Sequence, residues 1–515
     1  MNFATKPGKV PAVSGTGARK VVIIGGGIAG LSCGCYLQMN GIQSEILEMT
    51  ALPGGLCTSW DRGPYVFDGC LRWLLGTSPP SIFHQIWTEL GAFAGRKIMP
   101  QDEVVRVEGA DGRSFSVQAD LDRFAADCKR LAPEDSALVD ELVRDARRCA
   151  WIEPPLDNPL ELMTIREKMR MGLRFMPIVP VILKWKRLHL TDYLARYRND
   201  FLREVMLALA GDERMSALVL MMVLAFRCRN NTGFVVGGSL AFAQAIADRY
   251  SALGGVFRNN TEVVSVQVEN NRATGVNCAG GKFIPASAVV SCADGHTTIF
   301  KMLDGRYVNK SLRRLYEKGD LFPALIQVSL GINRAYPDVP QTLTLLLAQP
   351  LAVDNLTKHT RLEVSVFGAD AGLCPEGKTV MTVRAASDFD FWVKLKHGNP
   401  QGYRTEKKAI LREIIKILNQ RFPGLAACVE YSDLATPSTF EDWTGNWQGS
   451  YEGWLPTPRT LGRRIPYTLP GLKDFFMGGH WVALGGGLPS AAISGRYVAQ
   501  MICARDGIPF AATKP

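Results

Sequence analysis

The chain has 515 residues and a net charge of +10 at neutral pH, and 47% of its residues are hydrophobic. Because this length exceeds what one ordinary core supports, we expect a globular protein of two closely joined domains. The twelve cysteines are scattered, without a CxxC pair or a Cys/His cluster, which predicts reduced thiols, no metal site and a cytoplasmic location. No apolar run reaches the roughly 20 residues of a membrane-spanning helix. The sequence also lacks a basic segment interleaved with aromatic residues, so nucleic-acid binding is not predicted.

The first structured segment has the order of a βαβ unit. Residues 1–18 lack hydrophobic periodicity and are predicted to form a flexible tail. A strand over residues 20–24, a glycine turn, a helix over 31–39 and a second strand over 44–48 come next. This order is typical of proteins that bind a dinucleotide.

The turn of this unit, residues 25–30, has the sequence GGGIAG and matches the pattern GxGxxG. Gly25 can make the tight turn, and Gly27 can let the backbone approach a pyrophosphate at the helix N-terminus. Gly30 permits close packing of the helix on the strand. Because the pattern stands between a strand and a helix, it predicts a dinucleotide site.

Two further features narrow the choice of dinucleotide. Glu48 stands 18 residues after Gly30, near the spacing of roughly 20 that is typical of an acid accepting the ribose hydroxyls. Gly54 and Gly55 then give a second bare stretch of backbone on the same side of the sheet. In a plain NAD enzyme this region would start the next helix, so the glycine pair favours FAD.

Helical spacing of apolar residues dominates residues 96–229. Residues 166–187 contain seven basic residues and one acidic residue, around the apolar segment 175–183. This predicts either a peripheral surface that dips into anionic lipid headgroups, within a helical part covering residues 160–226, or a solvated basic helix beside a buried segment. The longest apolar run, residues 215–226, fits a buried or interfacial helix.

Sheet-like patterns return after residue 230. A glycine turn leading into a helix is predicted over residues 233–249, and a long helix over 405–420. Alternating apolar residues predict strands over 262–268, 272–276, 282–285, 288–291, 324–332, 343–348, 361–367 and 379–385.

The C-terminal region supplies a second glycine-rich turn. Gly478 and Gly479 close a strand, and residues 485–487 (GGG) precede a last helix in which Pro489 would be the first residue. The positive N-terminus of that helix can stabilise negative charge at the N1 and C2 carbonyl edge of a reduced flavin. The alternative is a turn that only docks the last helix.

Together these patterns predict an α/β fold with two interwoven domains. A Rossmann-like FAD-binding domain, containing the βαβ unit with GxGxxG, is predicted from residues 19–95, 230–305 and 465–515. An α+β substrate domain is predicted from residues 96–229 and 306–464.

The order of these pieces resembles the FAD-dependent phytoene desaturase, carotenoid isomerase and retinol saturase group, within the wider amine-oxidase-like flavoproteins. The resemblance extends over most of the chain, from residue 19 to residue 507. The motifs that carry it are residues 65–69 (YVFDG), 237–239 (GGS), 436–440 (TPSTF), 444–446 (TGN) with Gly449, and 485–496 (GGGLPSAAISGR).

The resemblance implies a set of FAD-binding residues. Leu56 departs from the pattern, because many relatives carry an arginine there on the pyrophosphate. The implied cofactor-binding residues are Gly25, Gly27, Ile28, Ala29, Gly30, Glu48, Gly54, Gly55, Leu56, Asp68, Gly69, Val263, Gly478, Gly479, Gly487, Leu488 and Pro489.

The resemblance also implies a hydrophobic polyene or isoprenoid substrate, exchanging a hydride with flavin N5 in a desaturation, a saturation or an isomerisation. The candidate catalytic residues are His480, Asp68 and Arg72. His480 could instead be structural, and Asp68 is expected to cap or turn the backbone near the flavin rather than to take a substrate proton. Arg72 with Trp73 could bind a polar end of the substrate, or form a salt bridge and core packing.

Aromatic residues are the remaining candidates for substrate contact. Trp73, Trp443 and Trp481 are predicted to face the substrate, and Trp443 with Trp447, Tyr451 and Trp454 could line an apolar tunnel or pack in the core. The competing function is a flavin amine oxidase acting on a small amine, which would need an aromatic cage that no sequence feature fixes. The electron acceptor is not predicted.

Overall fold

The computed structural model of the chain describes residues 20–227, 231–463, 465–482 and 485–515. The tail predicted over residues 1–18 lies outside the described residues.

Twenty strands are present in the described ranges. They are β1 (Lys20–Ile24), β2 (Gln43–Leu47), β3 (Ser59–Arg62), β4 (Tyr65–Asp68), β5 (Leu74–Leu75), β6 (Ile98–Pro100), β7 (Glu103–Glu108), β8 (Ser114–Gln118), β9 (Thr232–Val235), β10 (Val256–Arg258), β11 (Val263–Glu269), β12 (Arg272–Cys278), β13 (Phe283–Pro285), β14 (Ala288–Ser291), β15 (Leu325–Ile332), β16 (Thr342–Ala352), β17 (Lys358–Phe367), β18 (Thr379–Ala386), β19 (Val429–Ala435) and β20 (Phe475–Met477).

Sixteen α-helices accompany these strands in the same ranges. They are α1 (Ile28–Met39), α2 (Ile82–Glu89), α3 (Leu121–Leu131), α4 (Ser136–Cys149), α5 (Ile165–Phe175), α6 (Val179–Arg187), α7 (Leu190–Leu194), α8 (Asp200–Ala210), α9 (Ala217–Arg227), α10 (Gly238–Ala252), α11 (Lys310–Lys318), α12 (Phe389–Gly398), α13 (Pro400–Arg421), α14 (Leu425–Cys428), α15 (Pro437–Thr444) and α16 (Gly487–Asp506).

A parallel five-stranded sheet carries the predicted βαβ unit. Its strand order is β10-β2-β1-β14-β20, and every neighbouring pair is parallel. Helix α1 connects β1 to β2 and packs against α16 and α10. This arrangement confirms the predicted α/β class and the Rossmann-like βαβ unit.

Close backbone approach explains two glycines of this layer. A Cβ added at Gly30 would overlap the carbonyl oxygen of Gly25, and one added at Gly495 would overlap the carbonyl oxygen of Ala29. The first contact holds α1 against the turn after β1, and the second holds α16 against α1. At both points the backbones are too close to leave room for a side chain.

A second, mixed sheet of seven strands has the order β19-β15-β18-β17-β16-β7-β8. Strands β15 to β19 form an antiparallel group, and β16 pairs in parallel with β7. Helix α13 covers this sheet through Ile410, Ile414 and Leu418. Helices α3, α4 and α6 to α9 share a separate core with β7 and β8. The division into a FAD-binding and a substrate domain at the predicted boundaries stays a prediction.

Several predicted elements begin at other residues than expected, and capping explains most of the differences. The helix predicted over 405–420 begins at Pro400, because the Asn399 side chain accepts the Gly402 N–H at 2.9 Å. Within the segment predicted to be mainly helical, α8 begins at Asp200, because Asn199 accepts the Leu202 N–H at 2.9 Å. The strand predicted over 343–348 continues to Ala352, paired with β17.

Helix α9 contains most of the longest apolar run of the sequence, and both of its faces are occupied. Ala217, Leu220, Met221, Leu224 and Ala225 are buried in the helical core. The opposite face lines a large cavity with Leu218, Val219, Met222, Val223 and Phe226. An all-round apolar helix of this length therefore serves the protein interior. Across the described residues, no helix is both long and apolar enough to cross a membrane.

The basic apolar segment is more exposed in its first half than in its second. Helix α5 has no buried residue. Helix α6 buries Val181 and Trp185, and the Trp185 indole N–H donates to Asp145 at 2.8 Å. Trp185 therefore belongs to the helical core and not to the exposed part of this segment.

Candidate cofactor and substrate site

One large cavity connects the parallel sheet to the helical core. Its volume is about 1860 Å³, whereas a pocket for one small ligand usually measures roughly 300–1,000 Å³. The wall runs from Gly25 and Glu48 at the parallel sheet, past Val263, to Phe226 at the end of α9. The cavity is large enough for a dinucleotide and a second molecule together.

The N-terminus of α1 opens into this cavity. Gly27 is the N-cap residue, no side chain caps the helix, and no acidic residue stands in its first turn. The nearest described atom to a Cβ added at Gly27 is the Gly54 carbonyl oxygen, 3.7 Å away. The helix end therefore offers free N–H groups and open space beside them, which suits a pyrophosphate.

Glu48 stands directly after β2 and is 6% exposed. Its Oε2 accepts the Gly26 N–H at 2.7 Å, and its Oε1 accepts the Thr50 N–H at 2.9 Å and the Thr50 hydroxyl at 2.8 Å. A carboxylate has about four acceptor positions. One position is left for a ribose hydroxyl, and the three protein donors hold the carboxylate in place at the cavity wall.

The N-terminus of α16 faces the same cavity. Gly486 is its N-cap, with no side-chain cap and no acid in the first turn. Helix α16 begins at Gly487, so Pro489 is its third residue. The prediction that Pro489 is the first helical residue is therefore wrong. Proline is still tolerated there, because the first-turn N–H groups have no partner within the helix. A Cβ at Gly486 would meet Cβ of Glu452 at 2.6 Å, which explains the bare backbone at this point.

Most of the predicted cofactor-binding residues lie on the cavity wall. The exceptions are Gly30, Asp68 and Gly478, which lie behind it; Gly478, for example, donates its N–H to the Ser291 carbonyl at 2.8 Å. The predicted residues that line the cavity are Gly25, Gly27, Ile28, Ala29, Glu48, Gly54, Gly55, Leu56, Gly69, Val263, Gly479, Gly487, Leu488 and Pro489.

Asp68 is a structural acceptor. Its carboxylate accepts the Ser239 N–H at 2.6 Å, the Ser239 hydroxyl at 2.7 Å, the Cys70 N–H at 2.9 Å and the Ser59 hydroxyl at 3.2 Å. Burial raises the pKa of Asp68 above its ordinary value, while these donors oppose the shift. The side chain ties the loop after β4 to the start of α10, which agrees with its expected role of holding the backbone.

His480 lies on the cavity wall next to Trp481, with 5.4 Å between the ring centroids. Its Nε2 has no hydrogen-bond partner among the described residues. Burial lowers the pKa of His480 to about 4. The ring is therefore neutral at physiological pH, which makes it a poor proton donor in this cavity.

Arg72 is held at the cavity by an ion pair with Glu363, with 2.5 Å between Nη1 and Oε2. The strand register places Glu363 opposite Arg384, and Arg384 opposite Gln327. Arg384 donates to Gln327 Oε1 at 3.0 Å. Three strands thus present a polar row towards Arg72, which sequence patterns missed because its members are far apart in the chain.

A second arginine at the cavity was also missed. Arg227, the last residue of α9, is 6% exposed, and its guanidinium carbon lies 4.6 Å from the centroid of the Trp73 ring. Both residues line the cavity. The only sequence signal was a charged residue ending an apolar run, and this did not indicate the partner ring.

The predicted aromatic residues divide between wall and core. Trp443 and Tyr451 line the cavity, and Trp443 is 42% exposed. Trp454 is fully buried, and Trp447 stacks on the His296 ring at 4.5 Å between centroids. Trp481 touches the cavity but is only 2% exposed, and its indole N–H donates to Asn446 at 3.1 Å. The four predicted tunnel residues therefore do not form one continuous aromatic wall.

Comparison with known proteins agrees with this geometry. The family model described as flavin-containing amine oxidoreductase matches residues 28–503. The chain belongs to this family. The match includes α1, most of the cavity wall and most of α16, and FAD is accordingly the cofactor of this oxidoreductase. When bound, the flavin supplies a centre that accepts or gives a hydride.

Two proteins similar in sequence have names within the group that the sequence motifs resemble. The chloroplastic prolycopene isomerase of Arabidopsis thaliana is 24% identical, over 95% of this chain and 83% of that protein. The neurosporene-forming phytoene desaturase of Cereibacter sphaeroides is also 24% identical, over 84% of this chain and 85% of that protein.

Solved structures support the fold. An oxidoreductase from Methanosarcina mazei superposes with a TM-score of 0.60 at 16% identity, over 93% of this chain and all of that chain. A putrescine oxidase variant gives a TM-score of 0.61 at 14% identity, over 95% of this chain and 99% of that one. At these identities the likeness extends to the fold alone.

Proposed function

We propose that this FAD-dependent oxidoreductase acts on a hydrophobic polyene or isoprenoid of the carotenoid or retinoid kind, by hydride transfer to or from flavin N5. The observation that carries the proposal is the continuous cavity, which leads from the dinucleotide cradle to an apolar wall. The names of the similar desaturase and isomerase add support.

The apolar wall comes from one face of α9 and from two residues before and at the start of β15. Leu218, Met222 and Phe226 follow each other at intervals of four residues along α9, so they form one stripe. Phe322 and Leu325 line the cavity as well. Such a surface gains binding free energy from hydrocarbon chains in proportion to the apolar area that it removes from water.

Asp68 and His480 are poorly suited to proton transfer, which indicates that the protein mainly aligns the substrate with the flavin. Asp68 is engaged by four donors behind the wall. His480 is neutral, because burial lowers its pKa to about 4. A hydrocarbon substrate has no group to ionise, so the side chains of the wall orient the chain and exclude water.

A small amine is less suited to this cavity. The stripe formed by Leu218, Met222 and Phe226 offers a small amine no polar partner. Among the described residues at the wall, Trp443, Tyr451 and Trp481 also do not form a cage of parallel rings.

Incubation of the FAD-loaded protein with all-trans and cis polyenes under argon tests the function. Coupled loss of polyene double bonds and reoxidation of reduced flavin would indicate saturation, and new conjugation with oxidised flavin would indicate desaturation. A change in geometry alone would indicate isomerisation. Inertness towards all polyenes, with turnover of a small amine, would overturn the proposal.

We also propose that the protein docks peripherally on an anionic membrane surface, with its catalytic part on the cytoplasmic side. Four apolar side chains of one stripe are exposed on or next to α5: Ile165 (78%), Met169 (63%), Leu173 (64%) and Met176 (62%). Their spacing of four, four and three residues places them on one helix face. Such a contiguous exposed stripe is typical of an interaction surface.

Basic residues beside this stripe indicate that its binding partner is an anionic lipid surface. Arg166, Lys168, Arg170 and Arg174 are exposed on the same helix, and each basic residue near an anionic bilayer contributes about 1 kcal/mol. Lys184 is different, because it forms ion pairs with Glu141 at 2.7 Å and Asp145 at 2.9 Å. The α5 side chains are therefore the better ones to test.

Flotation with vesicles of anionic and of neutral lipids tests the docking. Replacing Met169 and Leu173 by glutamate should abolish binding to anionic vesicles and leave the unfolding temperature unchanged. Leu356→Glu is the matched control, since Leu356 is 75% exposed outside α5. Equal binding by the wild type and the α5 variant would refute the docking proposal.

A further inference from the structure

Three arginines meet at the polar end of the cavity. Arg72, Arg227 and Arg384 all line the wall, and a single ion pair, between Arg72 and Glu363, connects this set to a carboxylate in the described part of the chain. The charges of Glu452 and Asp68 also act on the set without an ion pair, Asp68 on Arg384. A buried charge without a partner costs free energy, so a ligand of opposite charge would be stabilised here.

Arg227 is the least satisfied of the three arginines. Its Nε and Nη1 have no hydrogen-bond partner among the described residues, although the side chain is 6% exposed. Burial and the neighbouring charge of Arg72 lower the pKa of Arg227 to about 9. The Trp73 ring supports one face of the guanidinium, which leaves its edge for a ligand.

Arg384 is bound only to neutral groups. It donates to Gln327 Oε1 at 3.0 Å and to the Cys70 carbonyl at 3.5 Å. Burial and the charge of Arg72 lower the pKa of Arg384. The charge of Arg384 is thus hydrogen-bonded but not neutralised by these contacts.

Glu452 supplies only part of a negative charge. Burial raises the pKa of Glu452 to about 7, against the opposing charges of Arg72 and Arg384. Burial also keeps Tyr451 neutral, because it raises the pKa of the phenol well above its ordinary value. At neutral pH the three arginines therefore face the carboxylate of Glu363, the partly protonated carboxyl of Glu452 and, near Arg384, Asp68, and no carboxylate in the described part of the chain pairs with Arg227.

We propose that this arginine cluster, Arg72, Arg227 and Arg384, binds a carboxylate at one end of the substrate, while the rest of the molecule lies along the apolar stripe of α9. This deepens the proposed function and rests on it. A single carboxylate matches the unpaired charge of Arg227, whereas a diphosphate would exceed it. Arg227 provides the two free donors, and Arg72, fixed by Glu363, provides a second charge.

The experiment compares three ligands of one carbon skeleton on the FAD-loaded protein: a polyene with a terminal carboxylate, its methyl ester, and the hydrocarbon. Quenching of tryptophan fluorescence measures the dissociation constants without turnover. The acid should bind roughly 10- to 100-fold more tightly than the ester, the range expected for hydrogen bonds to a charged group.

Substitutions then assign the preference to the cluster. Arg227→Gln should remove the advantage of the acid by weakening acid binding far more than hydrocarbon binding, and Arg227→Lys should retain part of this advantage. Arg313→Gln is the matched control, because Arg313 also lies over an aromatic ring, Phe300, but is exposed and outside the cavity. FAD content and unfolding temperature verify that each variant is folded.

The pH dependence gives a second measurement. Glu452 loses its proton as the pH rises through about 7, and its negative charge then competes with the ligand carboxylate for Arg72 and Arg384. Affinity for the acid should therefore fall as the pH rises through about 7, and Glu452→Gln should abolish this step but not the later fall as Arg227 loses its proton near pH 9.

The outcomes separate the two proposals. If the protein binds hydrocarbon, ester and acid equally, the carboxylate site is refuted and the polyene function stands. If the acid preference survives in Arg227→Gln, the cluster is not its source. If no polyene binds, the proposed function itself fails.

Discussion

Gly27→Ala separates cofactor binding from folding. The residue has φ −68° and ψ 177°, a conformation that alanine adopts without strain. The added methyl group would have only the Gly54 carbonyl oxygen within 4 Å among the described atoms, at 3.7 Å. We therefore expect the variant to fold normally while its methyl group occupies space beside the free N–H groups of α1.

The magnitude follows from the interaction that is lost. A hydrogen bond from an N–H to a charged group contributes about 1.5–3 kcal/mol, so the dissociation constant for FAD should rise roughly 10- to 100-fold. At a FAD concentration 100 times the wild-type constant, FAD stabilises the wild type by about 2.7 kcal/mol. After a 100-fold loss of affinity it would stabilise the variant by only about 0.4 kcal/mol.

Flavin fluorescence titration and unfolding with and without FAD measure both quantities. Gly30→Ala is the comparison, because its Cβ would overlap the Gly25 carbonyl and should destabilise even the FAD-free protein. Wild-type FAD affinity in Gly27→Ala would refute the placement of the pyrophosphate at this helix end. Unfolding of the FAD-free Gly27→Ala protein would show that the residue is needed for packing instead.

Three further outcomes are expected. Val219→Trp should fill part of the apolar side of the cavity and weaken binding of long polyenes more than tenfold, with FAD content unchanged; equal loss of FAD would show that Val219 borders the cofactor. Asp68→Asn should cost about 1–3 kcal/mol of unfolding free energy, because an amide nitrogen cannot accept the buried donors, but turnover should survive; a stable, inactive variant would instead make Asp68 the catalytic base. The pKa of His480 in the folded protein is about 4, below the ordinary 6.5. The contribution of the neutral His480 ring to the free energy of unfolding is therefore fully present above pH 6.5 and is lost as the pH falls towards 4. This loss amounts to roughly 3 kcal/mol at most, and denaturant unfolding of His480→Gln should lack it; identical acid profiles for the variant and the wild type would contradict the burial of a neutral ring.

Local sequence determined the cofactor unit. The glycines at 25, 27 and 30, Glu48 and the turn before α16 lie within short stretches whose backbone geometry depends on neighbouring residues. Their function could therefore be predicted from spacing, as could most strands of the two large sheets. The start of α16 was misplaced by two residues, since proline is tolerated throughout the first turn.

The substrate side depended on tertiary structure. Gln327, Arg384 and Glu363 belong to three strands and become neighbours only through the register of the sheet. Arg227 faces Trp73 although more than 150 residues separate them in the sequence. The apolar run of α9 could not reveal from sequence that one face packs in the core and the other lines the cavity, because both faces are equally apolar. The sequence by itself thus predicted the cofactor site, and only long-range packing decided which charges and which apolar surface line the rest of the cavity.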